Sequence, residues 1–197
     1  MQRDILVLYY SRHGSVASLA MQVGRGINSV DGATARLRTV PPVSAQTEER
    51  LPAVPDSGSP YCTRQDLAEC VGLVLGSPTR FGNMAAPLKY FLDGTASEWL
   101  AGTLAGKPAG VFTSTSSPHG GQETTLISMA LPLIHHGMIL VGVPYSETAL
   151  YTTSGGGTPY GASHVAREQS ATQLTEDEAR IAQTLGRRIA QIALRLA

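Results

Sequence analysis

The stretch Asp4-Ile5-Leu6-Val7-Leu8-Tyr9-Tyr10-Ser11-Arg12-His13-Gly14-Ser15-Val16 decides the fold. Ile5 to Tyr10 is an unbroken apolar run bounded by Asp4 and Ser11, the pattern of a strand buried on both faces of a parallel sheet. After a short polar loop, Val16, Leu19, Ala20, Val23 and Ile27 recur at helical spacing and predict an amphipathic helix over Ser15–Ser29.

The unit repeats along the chain. Ala33 to Val40 alternates as a second strand would, and Val71 to Gly76 and Ala109 to Thr113 are short apolar runs ahead of turn-rich loops. Helices are expected after them, over Met84–Leu92 and Glu123–Leu131. Met138 to Val143 reads as a fifth strand. The last helix runs over Glu176–Leu196, with Ile181, Leu185, Ile189, Ile192 and Leu196 on one stripe and a capping box of Thr175 and Glu178 at its start. Alternating strands and helices imply an α/β, doubly wound, five-stranded parallel sheet with helices on both faces, because each parallel pair needs a crossover that covers a face.

Two segments exceed that minimal unit. Pro41 to Thr63 carries Pro41, Pro42, Pro52, Pro55 and Pro60 with little periodicity, and Pro144 to Gln173 contains Gly155-Gly156-Gly157-Thr158-Pro159-Tyr160-Gly161. Both are expected to be long connections, and connections of that length are commonly functional.

At 197 residues and 42% hydrophobic, the chain can bury a core without disulfides or structural metal, and one domain over residues 1–197 is expected. Its 15 Lys+Arg balance 15 Asp+Glu. That balance argues against a nucleic-acid partner, which calls for a basic face, and points to a small molecule. Cys62 and Cys70, with seven residues between them and no second pair, support neither a zinc site nor a disulfide framework, so no metal is expected. The amino-terminal apolar run is too short for a signal peptide, and no stretch approaches the about 18 apolar residues of a membrane span. A cytoplasmic protein without membrane insertion is the expectation.

In an open α/β sheet, ligands bind beyond the carboxyl ends of the strands, so the loops after the first, third and fourth strands should converge. The first, Ser11-Arg12-His13-Gly14-Ser15-Val16, opens onto a helix amino terminus, where backbone N–H groups and the helix dipole favour an anion. It is neither a Walker loop nor a dinucleotide fingerprint, so a single phosphate fits it better. Ser and Gly before a helix also serve as an ordinary cap and turn. The second loop is Ser77-Pro78-Thr79-Arg80-Phe81-Gly82-Asn83. Here Pro78 is expected to stop the strand, Gly82 to take a conformation other residues resist, and Asn83 to cap the next helix. Phe81 either stacks on a ligand at the strand's end or tucks into the core, and Arg80 is either a ligand contact or a solvated charge. The third loop, Ser114-Thr115-Ser116-Ser117-Pro118-His119-Gly120-Gly121, is again rich in hydroxyls and glycine. Three such loops suit a ligand with one phosphate and a planar heterocycle, a description that flavin mononucleotide (FMN) meets.

Several motifs carry a resemblance that runs in register along nearly the whole chain. They are LVLYYS at Leu6–Ser11, SPTRFGNM at Ser77–Met84, FLDGT at Phe91–Thr95, GGQETT at Gly120–Thr125, HHGM at His135–Met138 and GGTPYGA at Gly156–Ala162. Together they resemble the WrbA-type NAD(P)H:quinone oxidoreductases. The resemblance implies a flavodoxin-like sheet of strand order 2-1-3-4-5, bound FMN, NADH or NADPH as co-substrate, and a homotetramer with active sites near subunit contacts. It implies two-electron reduction of quinones to hydroquinones by hydride transfer through FMN.

Carried over residue by residue, the resemblance gives the FMN phosphate to Ser11, Arg12, His13, Gly14, Ser15 and Val16. The ring and ribityl chain fall to Thr79, Arg80 and Phe81 and to Ser114, Thr115, Ser116, Ser117, Pro118 and His119, with His135 close to the flavin. A nicotinamide or quinone would lie in an aromatic pocket to which Trp99 and Tyr145 correspond, and His135 and Tyr145 would donate hydrogen bonds to quinone oxygens. Without the resemblance, His135 and His136 read as structural or capping residues rather than metal ligands. The sequence departs from the family at His13, where Tyr is common, and at Ser15, where His or Asn is frequent. Two other readings stand beside this one: an FMN electron carrier that docks to redox proteins, disfavoured by the zero net charge, and an interaction module that has lost its cofactor. The glycine-rich segment around Gly155 is expected at a subunit contact.

Overall fold

The computed structural model describes residues 3–44, 58–167 and 172–197. In chain order the strands are β1 (Arg3–Tyr9), β2 (Ala33–Thr39), β3 (Gly72–Arg80), β4 (Asn83–Met84), β5 (Pro108–Thr115), β6 (Ile139–Leu140) and β7 (Ala162–Val165). The helices are α1 (Ser15–Asn28), α2 (Arg64–Glu69), α3 (Ala86–Asp93), α4 (Ala96–Leu100), α5 (Gln122–His135), α6 (Ala149–Thr152) and α7 (Glu176–Leu196). The described residues form a seven-stranded sheet of order β2-β1-β3-β5-β6, with β4 folded onto β3 and β7 paired to β5. Counting the short β4 turns the expected 2-1-3-4-5 into this order.

Burial explains why the strands read as continuous apolar runs. Ile5, Val7 and Tyr9 face one core with α1 and α7, whereas Leu6 and Leu8 face the other with α3 and α5. On the first face the helices meet backbone to backbone at Gly26 and Gly186, where a methyl group would run into the carbonyls of Gln183 and Val23. That approach locks α7 over the centre of the sheet.

The expected fifth strand is corrected. Met138–Val143 does not run as one strand: β6 pairs only with Pro108–Ala109, and the chain leaves the sheet, returning as β7 beside Phe112–Thr115. Val141 N–H still donates to the Ala109 carbonyl, but Val143 N–H already turns away to the carbonyl of Pro159, so the first half ends before Pro144. The segment Pro144–Gln173 therefore hides a strand. Ala162-Ser163-His164-Val165 lacks an apolar signature because two of its four buried residues are polar and are satisfied by tertiary partners. Of Pro41–Thr63, residues 45–57 lie outside the described residues. Near its end Tyr61 makes a parallel bridge to Thr39, and a second capping box, Thr63 with Asp66, starts α2.

Pro78 does not stop its strand. β3 continues to Arg80 because β1 ends opposite Gly76, so the N–H that Pro78 lacks faces the side β1 has vacated. The chain then reverses in a hairpin that pairs Thr79 with Met84 and Arg80 with Asn83. Asn83 does not cap α3: its Oδ1 accepts from the next residue's N–H, and Ala85 is the residue before the helix.

Candidate functional site

β1, β3 and β5 are neighbours, so the loops that follow them stand side by side at one edge of the sheet. In the first, Ser11 Oγ turns inward and accepts from the N–H groups of Gly14 at 3.1 Å and Ala17 at 3.3 Å. Arg12 and His13 are exposed, Ser15 and Val16 buried at the start of α1. α1 opens on Gly14 at φ 93°, and α5 opens in the same way on Gly121 at φ 93°, neither helix having a capping side chain. Two helix amino termini opened by left-handed glycines present backbone donors and positive dipole ends at one edge.

The second and third loops touch. Thr79 and Thr125 hydroxyls lie 2.7 Å apart, Ser128 Oγ donates to the Gly82 carbonyl at 3.3 Å, and a Cβ on Gly121 would come within 3.4 Å of Gly82 Cα. Backbone bare of side chains thus floors the gap between the hairpin and α5. At the hairpin tip Phe81 and Gly82 have φ of 53° and 77°, a two-residue turn with both dihedrals positive. Phe81 is fully exposed and packs on nothing among the described residues, so the core alternative for this ring does not hold. Arg80 is exposed, its Nη1 donating to the Thr79 carbonyl.

In the third loop Ser114 and Thr115 are buried, the latter donating to the Ser117 carbonyl at 2.8 Å, while Ser116, Ser117, Pro118 and His119 are exposed. Gln122, missed in the sequence, pins this loop. It is buried, donates through Nε2 to the Pro118 carbonyl at 2.8 Å, and accepts through Oε1 from Ser163 Oγ at 2.5 Å.

Glu178 was legible as a capping residue but not in its second role. Its Oε2 accepts from Thr175 N–H and His164 Nδ1, and its Oε1 from the N–H groups of Gly156 and Val165. Burial pushes this carboxyl up, but hydrogen bonds from His164, Thr175, Val165 and Gly156 outweigh it and hold the group at about 2. The glycine-rich turn is thereby engaged inside the chain, with Gly156 held by Glu178 and Gly157 by Ser163 Oγ.

The remaining expected residues lie elsewhere. α5 carries His135 to the opposite edge, about 20 Å from Gly121 along the helix, where Gly137 meets Gly106 just ahead of β5. There Trp99 Nε1 donates to the His135 carbonyl at 2.8 Å. The two line a cavity of ≈ 420 Å³ together with Leu131 and His136. Burial lowers the His136 imidazole and favours its neutral form, with Nε2 3.0 Å from Thr95 Oγ1. Tyr145 stacks at a tilt on Tyr151, ring centroids 5.3 Å apart. Within one chain, therefore, the three loops come together, and His135 and Trp99 form a separate pair. Burial pushes the free Cys62 thiol up to about 12 and Cys70 upward as well, so neither presents a thiolate.

The model of the family described as NADPH-dependent FMN reductase matches residues 4–150. The chain belongs to this family. It is 42% identical over 200 residues to a protein named NAD(P)H dehydrogenase (quinone) from Solidesulfovibrio magneticus, covering 98% of each chain. A protein of the same name from Trichlorobacter lovleyi is also 42% identical, again with 98% of each chain covered. The solved structure of a flavodoxin, WrbA-like protein from Agrobacterium tumefaciens superposes with a TM-score of 0.69 at 19% identity over the whole of both chains. The fold is flavodoxin-like, as the motif resemblance implied. Among the described residues no helix is long and apolar enough to cross a membrane.

Proposed function

We propose that this protein is an FMN-dependent NAD(P)H:quinone oxidoreductase, a single FMN-binding domain. The observation that carries the reading is the junction of Gly121 with Gly82 and Thr79, a floor of backbone beside the exposed Phe81 and between two glycine-opened helix termini. These residues fit FMN. The start of α1, Ser11 to Val16, would hold its phosphate, and Thr79, Arg80, Phe81 and Ser114 to His119 would flank its ring and ribityl chain. Bound there, FMN would supply two-electron chemistry between NADH or NADPH and a quinone.

The side chains orient and exclude. The hairpin holds Phe81 where a flat substrate can stack, and Gln122 keeps the Ser116–Gly121 loop in place so that its backbone donors stay aimed at one position. Tyr145 donates a hydrogen bond to a quinone oxygen in this reading.

His135 and Trp99 join the site across a subunit contact. Ile127, Leu131, Ile134, Leu140 and Tyr160 are each about half exposed and line an apolar groove of ≈ 340 Å³ along α5. Leu131 also lines the cavity of Trp99 and His135. A second copy of this chain seated on that face, within a homotetramer, would bring His135 and Trp99 of one copy to the loops of another. We place the protein in the cytoplasm, in keeping with its two free thiols.

The test is the visible spectrum of purified protein before and after anaerobic NADPH or NADH, followed by turnover with benzoquinone. Flavin bands that bleach in one step and recover on adding quinone are expected. Absence of saturable FMN binding, or flavin that neither nucleotide reduces, would defeat the reading.

A further inference from the structure

α4 is a five-residue helix, Ala96–Leu100, none of whose residues is buried. A helix that short is not stable by itself, and without an apolar anchor its position depends on polar contacts. Two of these reach consecutive residues at the carboxyl end of α5. The buried Thr95, which precedes α4, meets His136 Nε2 at 3.0 Å, and the Trp99 indole donates to the His135 carbonyl at 2.8 Å. Trp99 N–H also donates to the Thr95 carbonyl at 3.0 Å, so the two contacts stand one helical turn apart and act together.

The proton count gives the His136 ring one state. A hydroxyl has a single proton, and Thr95 Oγ1 donates it to the Leu92 carbonyl at 2.7 Å. Toward His136 the hydroxyl can only accept, so Nε2 carries the ring proton and Nδ1 of the neutral ring carries a lone pair. Nδ1 is buried and has no hydrogen-bond partner among the described residues. Protonation there would bury a charge and a donor with no acceptor. The charged and titratable groups around this ring are Glu98 of α4, tied to Arg64 of α2, the pair Lys89 and Asp93 of α3, and His135 beside it. Burial disfavours the imidazolium, and outweighs Glu98, which favours it; His135 opposes it further.

We propose that His136 is a positioning residue for quinone reduction: its Nε2 proton, received by Thr95, holds α4 so that the Trp99 indole stays beside His135. The role in reduction rests on the reading that puts Trp99 and His135 in the quinone pocket, whereas the clamp itself rests on the hydrogen bonds alone. A flat substrate loses stacking area when the indole shifts, so the clamp acts on quinone binding and leaves the loops assigned to FMN untouched. Because the neutral ring is the one that fits, the clamp is complete above the ordinary imidazole value of 6.5 and opens as pH falls below it.

Trp99 is the chain's single tryptophan, so in FMN-loaded, full-length protein isotopically labelled at tryptophan one indole N–H resonance reports the clamp. His136→Leu and Thr95→Val should each move that resonance to the position of a solvent-exposed indole. Both should raise KM for benzoquinone about fivefold or more, with the rate of flavin reduction by the nucleotide unchanged. His136→Gln, whose amide donates to Thr95 but does not titrate, should restore the wild-type resonance and KM. Its KM should also stay level from about pH 7.5 to about pH 5.5, where that of the wild-type protein rises. An indole resonance unmoved by the Leu and Val substitutions overturns the clamp. An indole that moves with no change in KM overturns its part in quinone binding, and an equal rise in KM with acid in the Gln variant overturns the role of the neutral ring. Should His136→Leu fail to fold, Thr95→Val and the Gln comparison decide. If neither nucleotide reduces the flavin, the reductase reading fails, while the indole resonance still decides the clamp.

Discussion

His164 Nδ1 donates to Glu178 Oε2 at 2.9 Å in the protein interior, joining the first turn of α7 to β7 at the register position opposite Ser114. One carboxylate thereby ties a helix cap, the split edge strand, the glycine-rich turn and, through β7, the start of the third loop. Removing its charge leaves His164 and the backbone N–H groups of Thr175, Gly156 and Val165 with a weaker acceptor. Glu178→Gln is expected to lower stability by about 3 kcal/mol, read as a lower urea midpoint at unchanged slope. An unchanged midpoint would show that the cluster contributes nothing.

The same group sets an acid limit. Its folded value of about 2 lies below the ordinary 4.5, so its contribution to stability is complete above pH 4.5 and drains away as pH falls towards 2. Urea midpoints measured between pH 6 and pH 3 should fall with acidification, and the Glu178→Gln variant should show a shallower fall. Parallel curves for the two proteins would contradict the assignment.

Phe81 holds a left-handed backbone, φ 53°, with its ring wholly in solvent. Such a position strains a bulky residue, whereas Asn-Gly is the favoured pair for this kind of turn. Phe81→Asn should therefore stabilise the chain by about 1 kcal/mol, a rise in Tm of about 3 °C, and at the same time raise KM for quinone. A variant that gains stability and keeps full turnover would remove Phe81 from the site.

Gly121 also has a positive φ, and a Cβ there would press on Thr124 Oγ1 and Gly82 Cα. Gly121→Ala should cost about 1–2 kcal/mol of backbone strain and fill the floor on which the cofactor is proposed to lie. Quenching of flavin fluorescence should report affinity for FMN weakened by about tenfold or more, with native circular dichroism retained.

Ile134 lies half exposed on the apolar face of α5. Ile134→Arg should yield monomers by light scattering at micromolar concentration where the unsubstituted protein is oligomeric, with quinone turnover falling while FMN stays bound. A variant that is monomeric yet fully active would separate His135 and Trp99 from the chemistry.

What the sequence by itself determined is what local pattern can encode. The run Ile5–Tyr10, the stripe of α1 and the Thr175–Glu178 box each depend on residues within a few turns of one another, and the last helix spans the residues its periodicity predicts. Alternation of these units was enough for the doubly wound sheet, and hence for three loops at one edge. The loop compositions and motifs pointed to the cofactor class.

Only the tertiary structure decided the rest, because the causes are non-local. Pro78 stays in its strand since β1 has already ended beside it, and the edge strand splits since Phe112–Thr115 is paired by residues from beyond the 141–161 excursion. Ser163 and His164 are buried because Gln122 and Glu178 satisfy them. The length of α5 sets His135, and with it the Trp99 indole that donates to its carbonyl, at the opposite edge from the loops, and the first loop and the hairpin each place an arginine, Arg12 and Arg80, on the wall of one cavity. Spacing along a chain does not report which distant groups will meet, and that meeting is what distinguishes a site from a motif.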